Sequence, residues 1–406
     1  MDAQDIRNIL VIGIDVVALA SSARKAGYKV YAVDYFGDRD LRQLCCETRS
    51  AIEQRAGENC GRFGANFSPE ALVQLTKDLL KSNAIDAVLL SSGMEDTPEV
   101  LFALNDLVPI LGNPPNAIQK VRNKPKFFLE LERLGIPHPQ TAIAENFKEA
   151  RKKSKDIGFP VVVKPSKGFG GAGVREARDV QELKQAFLDA SLFDNEVLIQ
   201  ERIFGTPASA SVISSADDAV VLALNEQLLG MHEVCQREPF GYCGNIVPLS
   251  VTAPIASKCK SVVQKIVLHF GLVGSNGVDL VVSNEGVPYV VEVNPRFQGT
   301  LECVERILGA NIVQSHIEAC VHGKLPTIGK KNSIFCLRLI LFVPQHGIIS
   351  DLSTFEEARN IPLPGVVLQE NEPLCSIVIE GKSRDSLLRK AIGVTELIYE
   401  SILYRS

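Results

Sequence analysis

Two segments hold most of the residues able to do chemistry. The first reads Phe159-Pro160-Val161-Val162-Val163-Lys164-Pro165-Ser166-Lys167-Gly168-Phe169-Gly170-Gly171-Ala172-Gly173-Val174. A short apolar strand delivers Lys164, and a glycine-dense loop follows at once. Gly168, Gly170, Gly171 and Gly173 leave backbone N–H groups unshielded, so the loop can wrap phosphate oxygens while Lys164 supplies a fixed positive charge. A glycine-rich hairpin can also be only a tight turn. The G-K-[ST] ending of a P-loop is missing.

The second segment runs from Gly277 to Arg296 and reads as a hairpin, two apolar strands around Asn284-Glu285-Gly286. Side chains alternate along a strand, so Glu292 and Asn294 share one face, and the hairpin returns that face toward Asp279. Three hard oxygen donors converge there, a set that suits magnesium held jointly by carboxylates and phosphates. The alternative is a polar strand edge facing solvent. Arg296 follows a proline that ends the strand, and its fork-shaped guanidinium can grip a carboxylate or phosphoryl oxygen.

These segments need a scaffold, and the flanking sequence supplies an α/β one. Asn8 to Gly13 is a continuous apolar run ended by glycine, as in a strand buried on both faces of a parallel sheet. A helix over about 16–25 follows, the strand pattern repeats at Lys29 to Asp34 and at Ile85 to Ser91, and a helical stretch lies near Glu70 to Ser82. The first turn, Gly13-Ile14-Asp15-Val16-Val17-Ala18, lacks the second and third glycines of a dinucleotide fingerprint, which disfavours a nicotinamide cofactor. Loop ends at Asp34 and at 91–96 lie where open sheets present ligands, although turn chemistry explains their residues equally well. A Gly/Pro-punctuated linker at 109–115 separates a second region, which opens with a helix near Asn123 to Leu134. From Val161 to about Gly323 the pattern predicts strands alternating with short helices. Strand-like runs at 334–342 and 376–380 and a helix near 385–401 predict a closing α/β lobe. The expected division is 1–113, 114–326 and 327–406.

A chain of 406 residues is long enough for two or three packed units with a site between them. At 46% hydrophobic and 22% charged residues it has the composition of an ordinary folded protein. The net charge is -5, and no Lys/Arg run exceeds Arg151-Lys152-Lys153, so nucleic acid is not an expected partner. The start at 1–5 is acidic and polar, unlike a signal peptide, and no apolar run has the length of a membrane span, so a cytoplasmic location is expected. The ten cysteines include no C-x-x-C pair and the six histidines no i, i+4 pair, so neither predicts a metal or disulfide framework.

Taken together, these motifs and their order resemble the ATP-grasp superfamily. The resemblance implies an N-terminal open parallel sheet, an α+β nucleotide-gripping domain and a small C-terminal α/β lobe. It places Lys124, in Arg122-Asn123-Lys124, and Lys164 on nucleotide phosphates. It also makes Val197 to Gly205 the adenine hinge, with Gln200, Glu201 and Ile203 at the base. Asp279, Glu292 and Asn294 match its metal ligands, and Arg296 matches its arginine beside the reacting phosphoryl group; Arg296 and Lys164 are the catalytic candidates. The family's Asp before the first lysine is Asn123 here, and Thr206-Pro207-Ala208-Ser209 stands where an acidic residue often holds the ribose. The segments 241–248 and 297–300 resemble archaeal proteins described only as predicted carboligases, of the biotin carboxylase and carbamoyl-phosphate synthase kind. The resemblance therefore implies an ATP-dependent ligase using Mg2+ or Mn2+, which joins a small-molecule carboxylate to an amine or thiol through an acyl phosphate. Homodimers are common among such enzymes. The competing readings are a bicarbonate-phosphorylating carboxylase or carbamoyl-phosphate-type enzyme and a nucleotide-binding regulatory protein.

Overall fold

The computed structural model describes residues 6–62, 67–168, 170–329 and 333–404. The polar start at 1–5 and Phe169 of the glycine loop lie outside the described residues. Strand β1 (Asn8–Gly13) is central to a parallel sheet with β2 (Lys29–Asp34), β3 (Glu47–Ser50) and β4 (Ala87–Leu90), in the order β3-β2-β1-β4. Its apolar run is explained by burial on both faces: Ile9, Leu10, Val11 and Ile12 have no exposed surface. Helices α1 (Val17–Lys25), α2 (Arg39–Leu44), α3 (Pro69–Leu80) and α4 (Pro98–Leu107) cover the sheet. Ser68 caps α3 through the Ala71 amide, and Pro69 occupies its first turn.

Two helices then carry the chain toward the cleft, α5 (Pro115–Arg122) and α6 (Lys124–Arg133). Asn123 joins them, and its side chain accepts from the Lys126 amide at 3.2 Å. Asparagine and aspartate cap helices about equally well. A four-stranded antiparallel sheet follows, in the order β5-β8-β6-β7, from β5 (Thr141–Ala144), β6 (Val161–Pro165), β7 (Arg175–Ala177) and β8 (Val197–Glu201). It is backed by α7 (Phe147–Ile157), capped by Asn146, and α8 (Val180–Ser191), capped by Asp179. Arg151 and Lys152 lie on the exposed side of α7, as a solvated helix face should.

The largest sheet has eight strands in the order β13-β12-β9-β10-β11-β14-β18-β16. They are β9 (Gly205–Ser214), β10 (Ala219–Leu229), β11 (Tyr242–Val247), β12 (Gly274–Ser283), β13 (Pro288–Asn294), β14 (Phe335–Phe342), β16 (Ala358–Arg359) and β18 (Pro373–Gly381), paired antiparallel throughout. Between them lie α9 (Ala253–His269), α10 (Leu301–Leu308) and α11 (Ile312–His322). Short strands β15 (Gly347–Ile348), β17 (Val367–Leu368) and β19 (Leu403–Tyr404) form a small third antiparallel sheet, beside α12 (Arg384–Glu400). Strict alternation of strands with short helices between Val161 and Gly323 is not what forms. Strands β8 to β11 follow one another without an intervening α-helix, and α9 has 17 residues. Strands β9 and β10 are buried over most of their length, so they lack the period-2 signal that marks a half-exposed strand.

One apolar cluster runs from α1 and β1 through Phe297, α10 and α11 to Cys336 and Val378. It binds the parallel sheet firmly to the large one and fixes the loop after β4 beside the end of β13. All ten cysteines are free. Among the described residues no helix is long and apolar enough to cross a membrane.

Candidate active site

A cleft of about 640 Å³ opens between the small antiparallel sheet and the large one. Lys164 enters it from β6. Burial, and then the neighbouring Lys124 charge, push the Lys164 ammonium down to about 8. Among the described residues that ammonium has no hydrogen-bond or ion-pair partner, so an unpaired cation waits at the cleft wall. The glycine loop lies alongside. Gly170, Gly171 and Gly173 have φ of 66°, 80° and 71°, values that glycine adopts freely, and Gly168 has 150°. A Cβ on Gly171 would stand 2.0 Å from the Phe240 carbonyl oxygen. That close approach seats the loop on the 240–242 segment, where the Tyr242 amide donates to the Gly170 carbonyl at 2.9 Å.

Lys124, at the first position of α6, is 3% exposed, so it is not a solvated helix-start lysine. It donates to Glu292 Oε1 at 2.7 Å. Strand register pairs Asp279 with Glu292 and Gly277 with Asn294, which brings the three expected oxygen donors to one face. Asn294 Nδ2 donates to Asp279 Oδ2 at 2.9 Å, and Gln227 Nε2 on β10 donates to Asp279 Oδ1 at 3.0 Å. Burial would push the Glu292 carboxyl up, but Lys124, Arg122 and Lys164 overcome it and hold the group well below the usual carboxylate range. Asp279 has less compensation: burial, and then the adjacent Glu292 charge, push it up to about 6. Arg296 donates through Nε to Glu95 Oε1 at 2.8 Å and through Nη1 to the Phe297 carbonyl at 3.0 Å, so its fork is anchored at the edge of this cluster.

The connection from β8 to β9 also lines the cleft. Gln200 is 3% exposed, and its side chain donates to Thr141 Oγ1 at 2.8 Å. Glu201 is exposed and accepts from the Gln140 amide at 3.1 Å. The Ile203 carbonyl already accepts from Arg202 Nη1 at 2.6 Å, whereas its amide donates to no partner among the described residues. Pro139, Pro239 and Phe240 add apolar surface to the same cleft.

The model of an ATP-grasp domain matches residues 121–300, a stretch that begins beside Arg122 and takes in every site residue named above from Lys124 to Arg296. The chain carries an ATP-grasp domain. An uncharacterized protein of Methanocaldococcus jannaschii is 25% identical over 91% of this chain and 87% of its own length. The carbamoyl phosphate synthase large chain of Vibrio parahaemolyticus is 29% identical over 51% of this chain; the matched part is only 19% of that larger protein. Among solved structures, the biotin carboxylase domain of Hydrogenobacter thermophilus 2-oxoglutarate carboxylase, described with MgADP, ADP and bicarbonate, superimposes with a TM-score of 0.73. It covers 98% of this chain and 90% of that one at 17% identity, a likeness of fold.

Around the cleft, the 91–96 loop end and two side chains given no role from sequence, Arg122 and Gln227, do much of the positioning. Glu95 and Asp96, in the loop after β4, reach Arg296 and Arg122 respectively. Arg122 also pairs with Glu292. Gln227 was findable only as a polar residue alternating along a buried strand. The cluster balances its own charge: Arg122, Lys124, Lys164 and Arg296 face Glu95, Asp96, Asp279 and Glu292. A bound triphosphate would tip it strongly negative unless a divalent cation came with it. Among the described residues no three His, Cys, Asp or Glu side chains form a metal cage of their own. The oxygen set of Asp279, Glu292 and Asn294 fits Mg2+, which binds through one or two carboxylates together with phosphate oxygens.

Proposed function

We propose that the protein is an Mg2+-ATP-dependent ligase that activates a small carboxylate as an acyl phosphate and transfers the acyl group to an amine or thiol. The observation that carries this reading is the layout of the cleft. The free Ile203 amide, the unpaired Lys164 ammonium, the glycine loop and the Asp279/Glu292 pair all line one cleft, with Asn294 and the anchored Arg296 beside that carboxylate pair. Base at the Ile203 amide and phosphates at Lys164 and the glycine loop is the arrangement these contacts favour. Three parts, 1–113, 114–326 and 327–406, are the proposed division, with the reacting groups drawn from the first two.

Lys164, Lys124 and the N–H groups of the 168–173 loop would hold the β- and γ-phosphates. Mg2+ on Asp279, Glu292 and Asn294 would neutralise phosphate charge and make the γ-phosphoryl group more electrophilic. A substrate carboxylate oxygen then attacks the γ-phosphorus, the bridging P–O bond breaks, and ADP leaves with the electron pair. Arg296 offers its outer nitrogens to the charge on the acyl phosphate. The amine nitrogen or thiol sulfur adds to the acyl carbon, the bond to phosphate breaks, and inorganic phosphate departs. The loop seated on Phe240 and Tyr242 would exclude water, which otherwise hydrolyses the intermediate.

The match to carbamoyl phosphate synthase favours a second reading, in which bicarbonate is the carboxylate phosphorylated. ADP release measured with Mg2+-ATP over pooled carboxylates and nucleophiles tests both. A requirement for an organic acid together with a nucleophile supports the ligase, stimulation by bicarbonate alone supports the second reading, and silence despite ATP binding points to a regulatory role. A small-molecule partner set, a homodimer and a cytoplasmic site of action complete the proposal.

A further inference from the structure

Arg122 has no part in the reaction just described, yet it is the most connected cation of the charge cluster beside the cleft. It closes α5, is 6% exposed in its side chain, and divides its guanidinium between two carboxylates. Nε and Nη2 donate to Asp96 Oδ1 at 2.6 and 2.5 Å. Nη1 donates to Glu292 Oε1, to the Val293 carbonyl at 3.3 Å and to Asn294 Oδ1 at 3.4 Å. The other oxygen of Asp96, Oδ2, accepts from the amide of Gly168, the first glycine of the loop, at 3.4 Å. Asp96 therefore joins the glycine loop to Arg122, and Arg122 joins Asp96 to two of the three oxygen donors.

Resting on the ligase reading, we propose that Arg122 is a positioning residue, a built-in counter-cation that competes with the divalent ion for Glu292 and is retained by Asp96 when that ion binds. Glu292 Oε1 already receives both Lys124 Nζ and Arg122 Nη1, and a divalent cation arriving there repels both. Lys124 has incoming phosphate as its new partner. Arg122 is fixed at the α5–α6 junction by the Asn123 cap, and the carboxylate left to it is Asp96. With Arg122 drawn to Asp96, the charge that releases the metal carboxylate is the one that steadies the Gly168 end of the loop. Loading of the metal and seating of the loop are thereby linked.

The linkage gives two neutralising substitutions opposite signs. The quantity to measure by titration calorimetry is the ratio of ADP affinity with Mg2+ to that without it. R122Q removes the competitor at Glu292, so the ratio rises about tenfold, the order expected for a close buried charge pair. D96N leaves Glu292 as the remaining carboxylate for Arg122, so the ratio falls by a similar factor. D96N also loses the protection that MgADP gives Lys167 in the loop against trypsin. Where R122Q does not fold, R122M serves in its place: the competing charge is again removed while the aliphatic bulk is kept, and the ratio again rises. Substitutions of merely structural residues would lower the ratio in both variants, and that result, or no change in either, overturns the proposal while leaving the ligase reading intact. Failure of the unaltered protein to bind MgADP overturns both.

Discussion

Replacing Lys164 by methionine should make the empty protein more stable while abolishing its grip on nucleotide. The Lys164 ammonium falls from its ordinary 10.5 to about 8 because burial and Lys124 oppose its charge. At about 1.4 kcal/mol per tenfold change in proton affinity, that distance corresponds to a penalty of about 3 kcal/mol, reduced to about 1–2 kcal/mol by partial access to solvent. The folded-state value lies below the unfolded one, so the penalty is carried in full below pH 8 and disappears as pH rises toward 10.5. Met conserves the aliphatic bulk and removes the charge. K164M should therefore melt a few degrees higher than the unaltered protein at pH 6.5, and the gain should shrink at pH 10. In the same variant MgADP affinity should fall by about 100-fold, since a desolvated lysine–phosphate contact is lost. Thermal unfolding at the two pH values, with calorimetric titration of MgADP, measures both arms. A K164M protein that melts lower at pH 6.5, or whose gain is the same at pH 10, would refute the assignment of Lys164 as an unpaired cation awaiting phosphate.

Bound phosphates should restore the Lys164 proton. Nucleotide binding at pH 8 should take up about half a proton and at pH 6 close to none from this group, as read from calorimetry in buffers of different ionisation enthalpy. G171A should raise the nucleotide KM more than tenfold, because its Cβ meets the Phe240 carbonyl at 2.0 Å at a φ of 80°. G170A, whose Cβ meets nothing within 4 Å, should cost only about 1–2 kcal/mol of backbone strain, and equal effects would argue against the seat on Phe240. N123A should destabilise by about 1 kcal/mol in denaturant unfolding, whereas N123D should stay within about 0.5 kcal/mol, because Asn123 acts as the α6 cap.

The α/β class, the glycine loop and the shared face of Glu292 and Asn294 were legible because each rests on local chemistry. An apolar run reports a buried parallel strand, glycines at positive φ report a loop, and alternation along β13 puts Glu292 and Asn294 on one face. The family resemblance implied what local chemistry does not, the hinge at 197–205 and a phosphate role for Lys124; the contact from Lys124 to Glu292, 168 residues on, comes from the structure. The unread part is what tertiary packing decides. Nothing around Glu95 and Asp96 says that one turns to Arg296 and its neighbour to Arg122, because those partners lie 201 and 26 residues away. A lysine at a helix start can stand in solvent, and the packing of α6 against the large sheet is what buries Lys124. Asn123 reads as a departure from a motif in sequence and as an ordinary helix cap in structure. The run of strands from β8 to β11 was obscured because burial on both faces erases alternation.

The central claim is that Glu292 belongs to a carboxylate-activating nucleotide site. Its most direct test is ADP release from Mg2+-ATP by the unaltered protein and by E292Q, over pooled organic acids, amines, thiols and bicarbonate. Turnover is expected to require an organic acid and a nucleophile together and to disappear in E292Q. Turnover that survives E292Q undiminished would contradict that claim.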